Sequence, residues 1–176
     1  YYRLNISKNK GDVSLMQIAE IELIGPAVPA LNHALTATAV TSSGAISEAE
    51  AAGYAFDGDS QTKWLDNTAV PTAAAPAWAS VTLAEPQAVN MLALVSANDA
   101  PDRDPENFSL LASDDGEYWV NLGQWAGISF SERAERQTFA VANALGYSHY
   151  QLNITKNKGD SALMQVAEIE LIGPQV

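Results

Sequence analysis

The feature that most constrains this chain is a near-duplication of its two ends. Tyr2–Pro26, YRLNISKNKGDVSLMQIAEIELIGP, returns as Tyr150–Pro174, YQLNITKNKGDSALMQVAEIELIGP, with 20 of 25 positions identical and an offset of 148 residues. Solenoid repeats have periods of about 20 to 50 residues; an offset of this size is that of a whole domain. The duplication therefore marks tandem domains in a longer protein. Each copy alternates through Tyr-x-Leu-x-Ile, breaks at Lys-Asn-Lys-Gly-Asp and alternates again through Gln-(Ile/Val)-Ala-Glu-Ile-Glu-Leu-Ile. That reads as a strand, an excursion and a second strand.

On this reading residues 1–26 are the closing strands of a preceding repeat, Pro26-Ala-Val-Pro29-Ala is a linker, and 27–176 hold one complete domain. The opposite parse, in which the first copy closes the body and the second begins the next unit, remains open. Either way one closing segment is spare. Unpaired strand edges tend to find another chain, so a homo-oligomer through the duplicated strands is expected.

Between the copies, short strands are expected at Trp78–Leu83, Val89–Ser96, Phe108–Ser113, Tyr118–Leu122 and Gln137–Val141. Turn signals separate them: Glu85-Pro86, Ala100-Pro101, Asp104-Pro105 and Asp114-Asp115-Gly116. From Leu31 to Ala52 the chain is rich in Ala, Ser and Thr, and only Ile46–Ala52 hints at a helical turn. Short strands at this spacing without a long helix predict an all-β, antiparallel jelly-roll sandwich. Trp64, Trp78 and Trp119 sit in strand-like contexts and are expected in its core.

Composition removes several functions. A net charge of −12 opposes nucleic acid and anionic membranes. The acidity is spread along the chain and reads first as a solubilising surface. Cysteine is absent, which excludes disulfides, a thiolate nucleophile and zinc-thiolate sites. No apolar run reaches the roughly 18 residues of a membrane span.

Two stretches carry chemistry. Tyr54-Ala-Phe-Asp-Gly-Asp-Ser-Gln-Thr-Lys-Trp64 packs carboxylates, a hydroxyl and a glycine between aromatics. Asp57, Asp59 and Thr62 can offer oxygens to a hard cation such as calcium, with backbone carbonyls completing the shell; a solvated Asp-Gly turn is the other reading. The connection Ala97–Asn107 sets a lone Arg among carboxylates and amides between two prolines. Asn98, Asp99, Asp102, Arg103 and Asp104 suit the paired hydroxyls of a sugar, or Arg103 is an internal brace held by Asp102 or Asp104. Trp125 and Phe130, flanking a loop rich in Gly and Ser, are candidates for exposed rings on which a pyranose could stack.

These residues together resemble a known family. Ala55-Phe56-Asp57-Gly58-Asp59-x-x-Thr62-x-Trp64, Ala112-Ser113-Asp114-Asp115-Gly116-x-x-Trp119, and Tyr150-x-Leu152 with Ala167-Glu168-Ile169 are similar, in order and spacing, to discoidin-like domains. These are also called coagulation factor V/VIII type C domains, and the resemblance is greatest to bacterial carbohydrate-binding module family 32. It covers about residues 31–173 and implies a jelly roll with a structural calcium ion. The implied ligands are the side chains of Asp57, Asp59 and Thr62, the carboxylate of Glu168, and the carbonyls of Tyr54 and Ala167. Glu20 stands in the first copy where Glu168 stands in the second. In the family, sugars bind loops at one end of the sandwich. Here Asn98–Pro105 replaces the Arg and His arrangement of the galactose binders, and His33 and His149 lie elsewhere.

The expected function is a noncatalytic carbohydrate-binding module in a tandem array, on a secreted or cell-surface bacterial protein that it targets to a polysaccharide or glycan. Tandem weak sites gain avidity on a polymer. A cell-adhesion or protein-interaction module on the same fold is the alternative. An enzyme is disfavoured: Asp102 and Asp104 could in principle serve glycoside chemistry, but no nucleophile, base and orienting group form one constellation.

Overall fold

In the computed structural model, residues 4–6, 11, 15, 17–18, 29–68 and 70–175 are described. Among these residues eleven strands follow one another: β1 (Ala30–Asn32), β2 (Ala37–Ser42), β3 (Trp64–Asp66), β4 (Ala77–Ala88), β5 (Met91–Val95), β6 (Pro105–Ser113), β7 (Val120–Trp125), β8 (Arg136–Ala140), β9 (Gly146–Asn157), β10 (Met164–Val166) and β11 (Glu168–Pro174). Short 3-10 turns at His33–Thr36, Glu48–Glu50, Ala52–Ala55 and Pro101–Arg103 interrupt them.

Alternation sorts the strands into two packed layers. A five-stranded sheet runs β2-β4-β9-β6-β7 and a four-stranded sheet β1-β11-β5-β8, with β10 and β3 forming a small ribbon. All pairings are antiparallel. From the larger sheet Val81, Phe108, Leu110, Tyr150, Leu152 and Ile154 point inward; from the smaller come Leu92, Leu94, Ile169 and Leu171. On the larger sheet the core positions thus alternate, the period a half-buried strand imposes, whereas β5 is buried continuously from Leu92 to Val95. This is the antiparallel jelly roll that the strand spacing predicts.

The second copy of the duplicated segment sits at the centre of both layers. Its first strand, β9, pairs with β4 and β6, and its last, β11, pairs with β5 and β1. Lys156 and Asn157 of the expected break still belong to β9, and residues 158–163 form the excursion that leads into β10. The assignment of residues 1–26, and the contact they were expected to make with another molecule, lie outside the described residues apart from a few isolated positions.

Two tryptophans depart from expectation. Trp64 is fully buried and donates its indole N–H to the Gly44 carbonyl at 2.8 Å. Trp78 and Trp119 are only half-buried. Trp78 falls between the inward Ala77 and Ala79 on β4, so the strand period turns it outward. The start of β7 also lies later than expected. The Asp115 carboxylate accepts from Glu117 N and Tyr118 N, both at 2.9 Å, and holds the turn until Val120. Tyr118 consequently stands 80% exposed at its tip.

His33 marks where β1 and β11 meet. It is buried, its Nε2 has no partner, and burial holds its pKa below the usual value of 6.5. A histidine with a depressed folded pKa contributes its stability above the unfolded pKa and loses it as pH falls through that value. Wild-type protein should therefore lose stability relative to His33→Gln between about pH 7 and pH 5. Urea unfolding of both proteins at each pH, with calcium present throughout, checks this.

Candidate functional site

The loop Tyr54–Trp64 is anchored at both ends by burial: Ala55 and Phe56 on one side, Trp64 on the other. Between them Gly58 turns at φ +80, a left-handed conformation that costs glycine little. The Asp57 Oδ1 accepts from Asp59 N at 2.8 Å, and the Asp59 Oδ1 from Gln61 N at 2.9 Å. These two Asx turns wind the chain so that oxygens converge on the Thr62 hydroxyl. Asp59 O lies 2.8 Å from Thr62 Oγ1, Asp57 Oδ2 2.9 Å and Tyr54 O 3.3 Å. One hydroxyl hydrogen cannot serve three acceptors, so the cluster is rich in free lone pairs.

Glu168 enters this cluster from β11. It is 3% exposed; its Oε2 accepts from Gly58 N at 3.2 Å, and its Oε1 has no hydrogen-bond partner. Burial, with the Asp57 carboxyl beside it, pushes its pKa up to about 8. Ala167 is fully buried next to it, with its N–H held by Val95 O at 3.0 Å. Tyr54, Asp57, Asp59, Thr62 and Glu168 thus meet, with Ala167 adjoining. Asp59 differs in detail from expectation: its carbonyl faces Thr62, while its carboxylate is taken up by Gln61 N. Among the described residues no three acidic or histidine side chains form a metal cluster. The oxygens are two carboxylates, a hydroxyl and backbone carbonyls, a donor set that suits a hard cation.

The Ala97–Asn107 connection lies at the same end. Lys63, at the close of the oxygen-rich loop, binds Asp99 at 2.7 Å and stands 3.8 Å from Glu50. The Lys63 ammonium holds the Asp99 carboxyl below the usual range. Gln165 of β10 donates Nε2 to Asp99 O at 2.7 Å and to Ala100 O at 3.1 Å. Arg103, half-exposed, pairs with Asp160 at 3.1 Å. Asp160 N and Lys158 N bond back to Asp102 O and Asp104 O, each at 3.0 Å. Asn98 and Asp102 are exposed. The result is a polar strip, Glu50, Lys63, Asp99, Arg103 and Asp160, laid over a braced loop.

The brace is Arg133. Its guanidinium makes a two-pronged contact with the Asp104 carboxylate, with Nη1 to Oδ1 at 2.9 Å, and Nη1 also reaches Ala97 O at 3.3 Å and Asp99 O at 3.2 Å. Asp104 is 1% exposed, and it faces inward to Arg133 instead of outward to a ligand. Arg103 is held by Asp160, neither Asp102 nor Asp104. The two aromatic candidates are also turned in. Phe130 is 7% exposed. Trp125 packs against Phe108 and Phe139 with ring centroids 5.5 and 5.4 Å apart, because it sits opposite the inward Phe108 on β6. Neither ring forms an exposed platform. Lys63, Arg133, Asp160 and Gln165 were not among the expected site residues. Each lies in a stretch that stood out for other reasons, but their pairing partners are 29 to 66 positions away.

Residues 36–169 match the family model described as F5/8 type C domain. Among solved structures, a family 32 carbohydrate-binding module of NanJ from Clostridium perfringens in complex with galactose superposes with a TM-score of 0.64 at 14% identity, covering 81% of this chain and 97% of that one. Another module of the same family and organism, in complex with GalNAc-β-1,3-galactose, gives 0.61 at 15% identity, covering 75% and 92%. A chitosan-binding module from a Paenibacillus sp. IK-5 chitosanase/glucanase gives 0.64 at 20% identity, covering 81% and 98%. A curated relative, peptide-N(4)-(N-acetyl-beta-glucosaminyl)asparagine amidase of Arabidopsis thaliana, is 34% identical over 90 residues, spanning 49% of this chain but only 12% of that protein. With a family model matching well over half its length on an antiparallel jelly roll, the chain belongs to the F5/8 type C domain family.

Proposed function

We propose that this domain is a noncatalytic carbohydrate-binding module, carried on a secreted or cell-surface bacterial protein. The observation that carries the reading is the braced polar strip. Lys63, Asp99 and Arg103 present planar or charged groups at one end of a rigid sandwich, locked from beneath by Arg133 and Asp104. Rigid loops bearing convergent polar groups are how such scaffolds bind sugars without reorganisation. The structural neighbours whose names record bound sugars support it. No helix among the described residues is long and apolar enough to cross a membrane.

The oxygen cluster is a calcium site on this reading. Tyr54, Asp57, Asp59, Thr62, Ala167 and Glu168 would hold the ion, and the fit rests on the orphaned, buried Glu168 Oε1 facing a second carboxylate. Calcium there would neutralise the pair and tie the loop to β11, a structural role.

The tandem organisation follows from the duplication: residues 1–26 close a preceding repeat and 27–176 form this one. In this domain Pro174 pairs with Ala30, and Gln175 N bonds Pro29 O at 2.9 Å. The place where β11 ends is thus beside the place where β1 begins. The spare closing segment supports a homo-oligomer formed through it.

The inward rotation of Trp125 and Phe130 favours one alternative, a cell-adhesion or protein-interaction module, because it removes the expected stacking rings from the strip. Binding to a panel of soluble and insoluble polysaccharides separates the two. Binding at the strip, read with mono- and disaccharides of whichever glycan is retained, should be lost in Arg103→Ala and weakened in Lys63→Ala, with both variants melting near wild type. A folded, calcium-loaded protein that binds no glycan would support the adhesion reading instead.

A further inference from the structure

The outer face of the five-stranded sheet takes no part in the loop site, and its side chains are ordered by register. One row crosses all five strands: Thr41, Ser80, Gln151, Leu111 and Asn121 stand opposite one another in turn. A second row beside it runs Trp78, Asn153, Ser109 and Gln124. In a chain that is 17% charged with a net charge of −12, neither row holds a charged residue. A sheet face that is merely solvated is where Lys, Glu and Arg normally keep a protein soluble. Here the first charges past the rows, Lys156 and Glu106, pair with each other at 2.9 Å.

The chemistry of the rows is that of an uncharged polyol acceptor. Gln151 donates Nε2 to Asn153 Oδ1 at 2.6 Å, which fixes both amides and leaves the Gln151 oxygen and the Asn153 NH2 to face a ligand. The half-exposed Trp78 supplies a ring for the C–H face of a pyranose, and Leu111 an apolar step in the first row. Strands stand ~4.8 Å apart, close to the length of one hexose unit, so successive sugars of an extended chain crossing the sheet would meet successive side chains.

We infer that this face is a second glycan-binding surface, taking an extended, uncharged polysaccharide laid across the strands, with the Gln151 and Asn153 pair at its centre and Trp78 at one side. The inference rests on the carbohydrate-binding reading but uses none of the loop residues. An anionic polysaccharide would be repelled by the chain's net charge.

The test is affinity electrophoresis in gels containing neutral mannan, β-glucan or galactan, or anionic polygalacturonate. Calorimetry with neutral oligosaccharides of increasing length accompanies it. The proteins are wild type, Gln151→Ala/Asn153→Ala, Trp78→Ala, Ser109→Arg as a blocking variant at a half-exposed position of the face, and Arg103→Ala. The inference expects affinity for one neutral polymer to rise with oligosaccharide length and to fall about tenfold in each face variant, while Arg103→Ala leaves this binding in place. Retention lost in Arg103→Ala but unchanged in folded face variants would overturn the second surface and keep the loop site. Preference for polygalacturonate would overturn it as well, and absence of binding to every glycan would overturn both readings.

Discussion

Arg133→Ala should be among the most destabilising single changes in this domain, at about 3 to 5 kcal/mol. The reason is the state in which it leaves Asp104. That carboxylate is 1% exposed, and burial already raises its pKa, with Arg133 opposing the shift. Removing the guanidinium strands a buried charge and takes a donor from the Ala97 and Asp99 carbonyls at once, of which Asp99 O keeps the Gln165 amide. Arg133→Lys keeps the charge but not the fork and should recover only part of the loss. The double variant Arg133→Ala/Asp104→Asn should be less destabilised than the sum of its singles, since each then removes what the other left unpaired. Urea unfolding of the set measures this. Equal losses for Arg133→Ala and a change at the exposed Asn98 would refute the role of the brace.

The second large effect concerns Glu168. Calcium should raise the melting temperature of the wild-type domain, by an amount corresponding to about 2.7 kcal/mol at a free concentration one hundred times the dissociation constant. Glu168→Gln should abolish that gain. In chelator the same variant should be no less stable than wild type, because it removes a buried, half-partnered carboxylate standing against Asp57. A purely structural role for Glu168 predicts the reverse: loss of stability in chelator and an unchanged response to calcium. Melting curves of both proteins, with calcium and with chelator, decide between them.

The contrast between these two sites shows how far a sequence can be read locally. Asp57, Gly58, Asp59 and Thr62 lie within six residues and stand out as an oxygen-rich turn, because Asx turns and a left-handed glycine are short-range features. The carboxylate completing the cluster lies 110 positions from the glycine it touches, and only resemblance to a family pointed to it. The Arg133 brace had no such guide. Its partner is 29 positions away across two strands, so a stretch full of Asp offered Arg103 several partners of equal standing, and the fold chose Asp160.

The aromatics follow the same logic. Trp125 and Phe130 flank a polar loop, and loop context suggested exposure. Cross-strand register decided otherwise by placing Trp125 opposite Phe108, next to Phe139. Trp78 moved the opposite way, from expected core to outer face, because its burial depends on which neighbours of β4 face the other sheet.

By itself the sequence determined the fold class, most strand positions, the oxygen-rich turn and the duplication of the closing segment. Strand alternation, turn residues and self-similarity are all written in neighbouring positions. Tertiary structure alone decided which charges pair, which rings are buried and which uncharged side chains line up across five strands. Those outcomes depend on register between segments far apart in the chain, and a one-residue slip in register would turn every side chain of a strand to the opposite face.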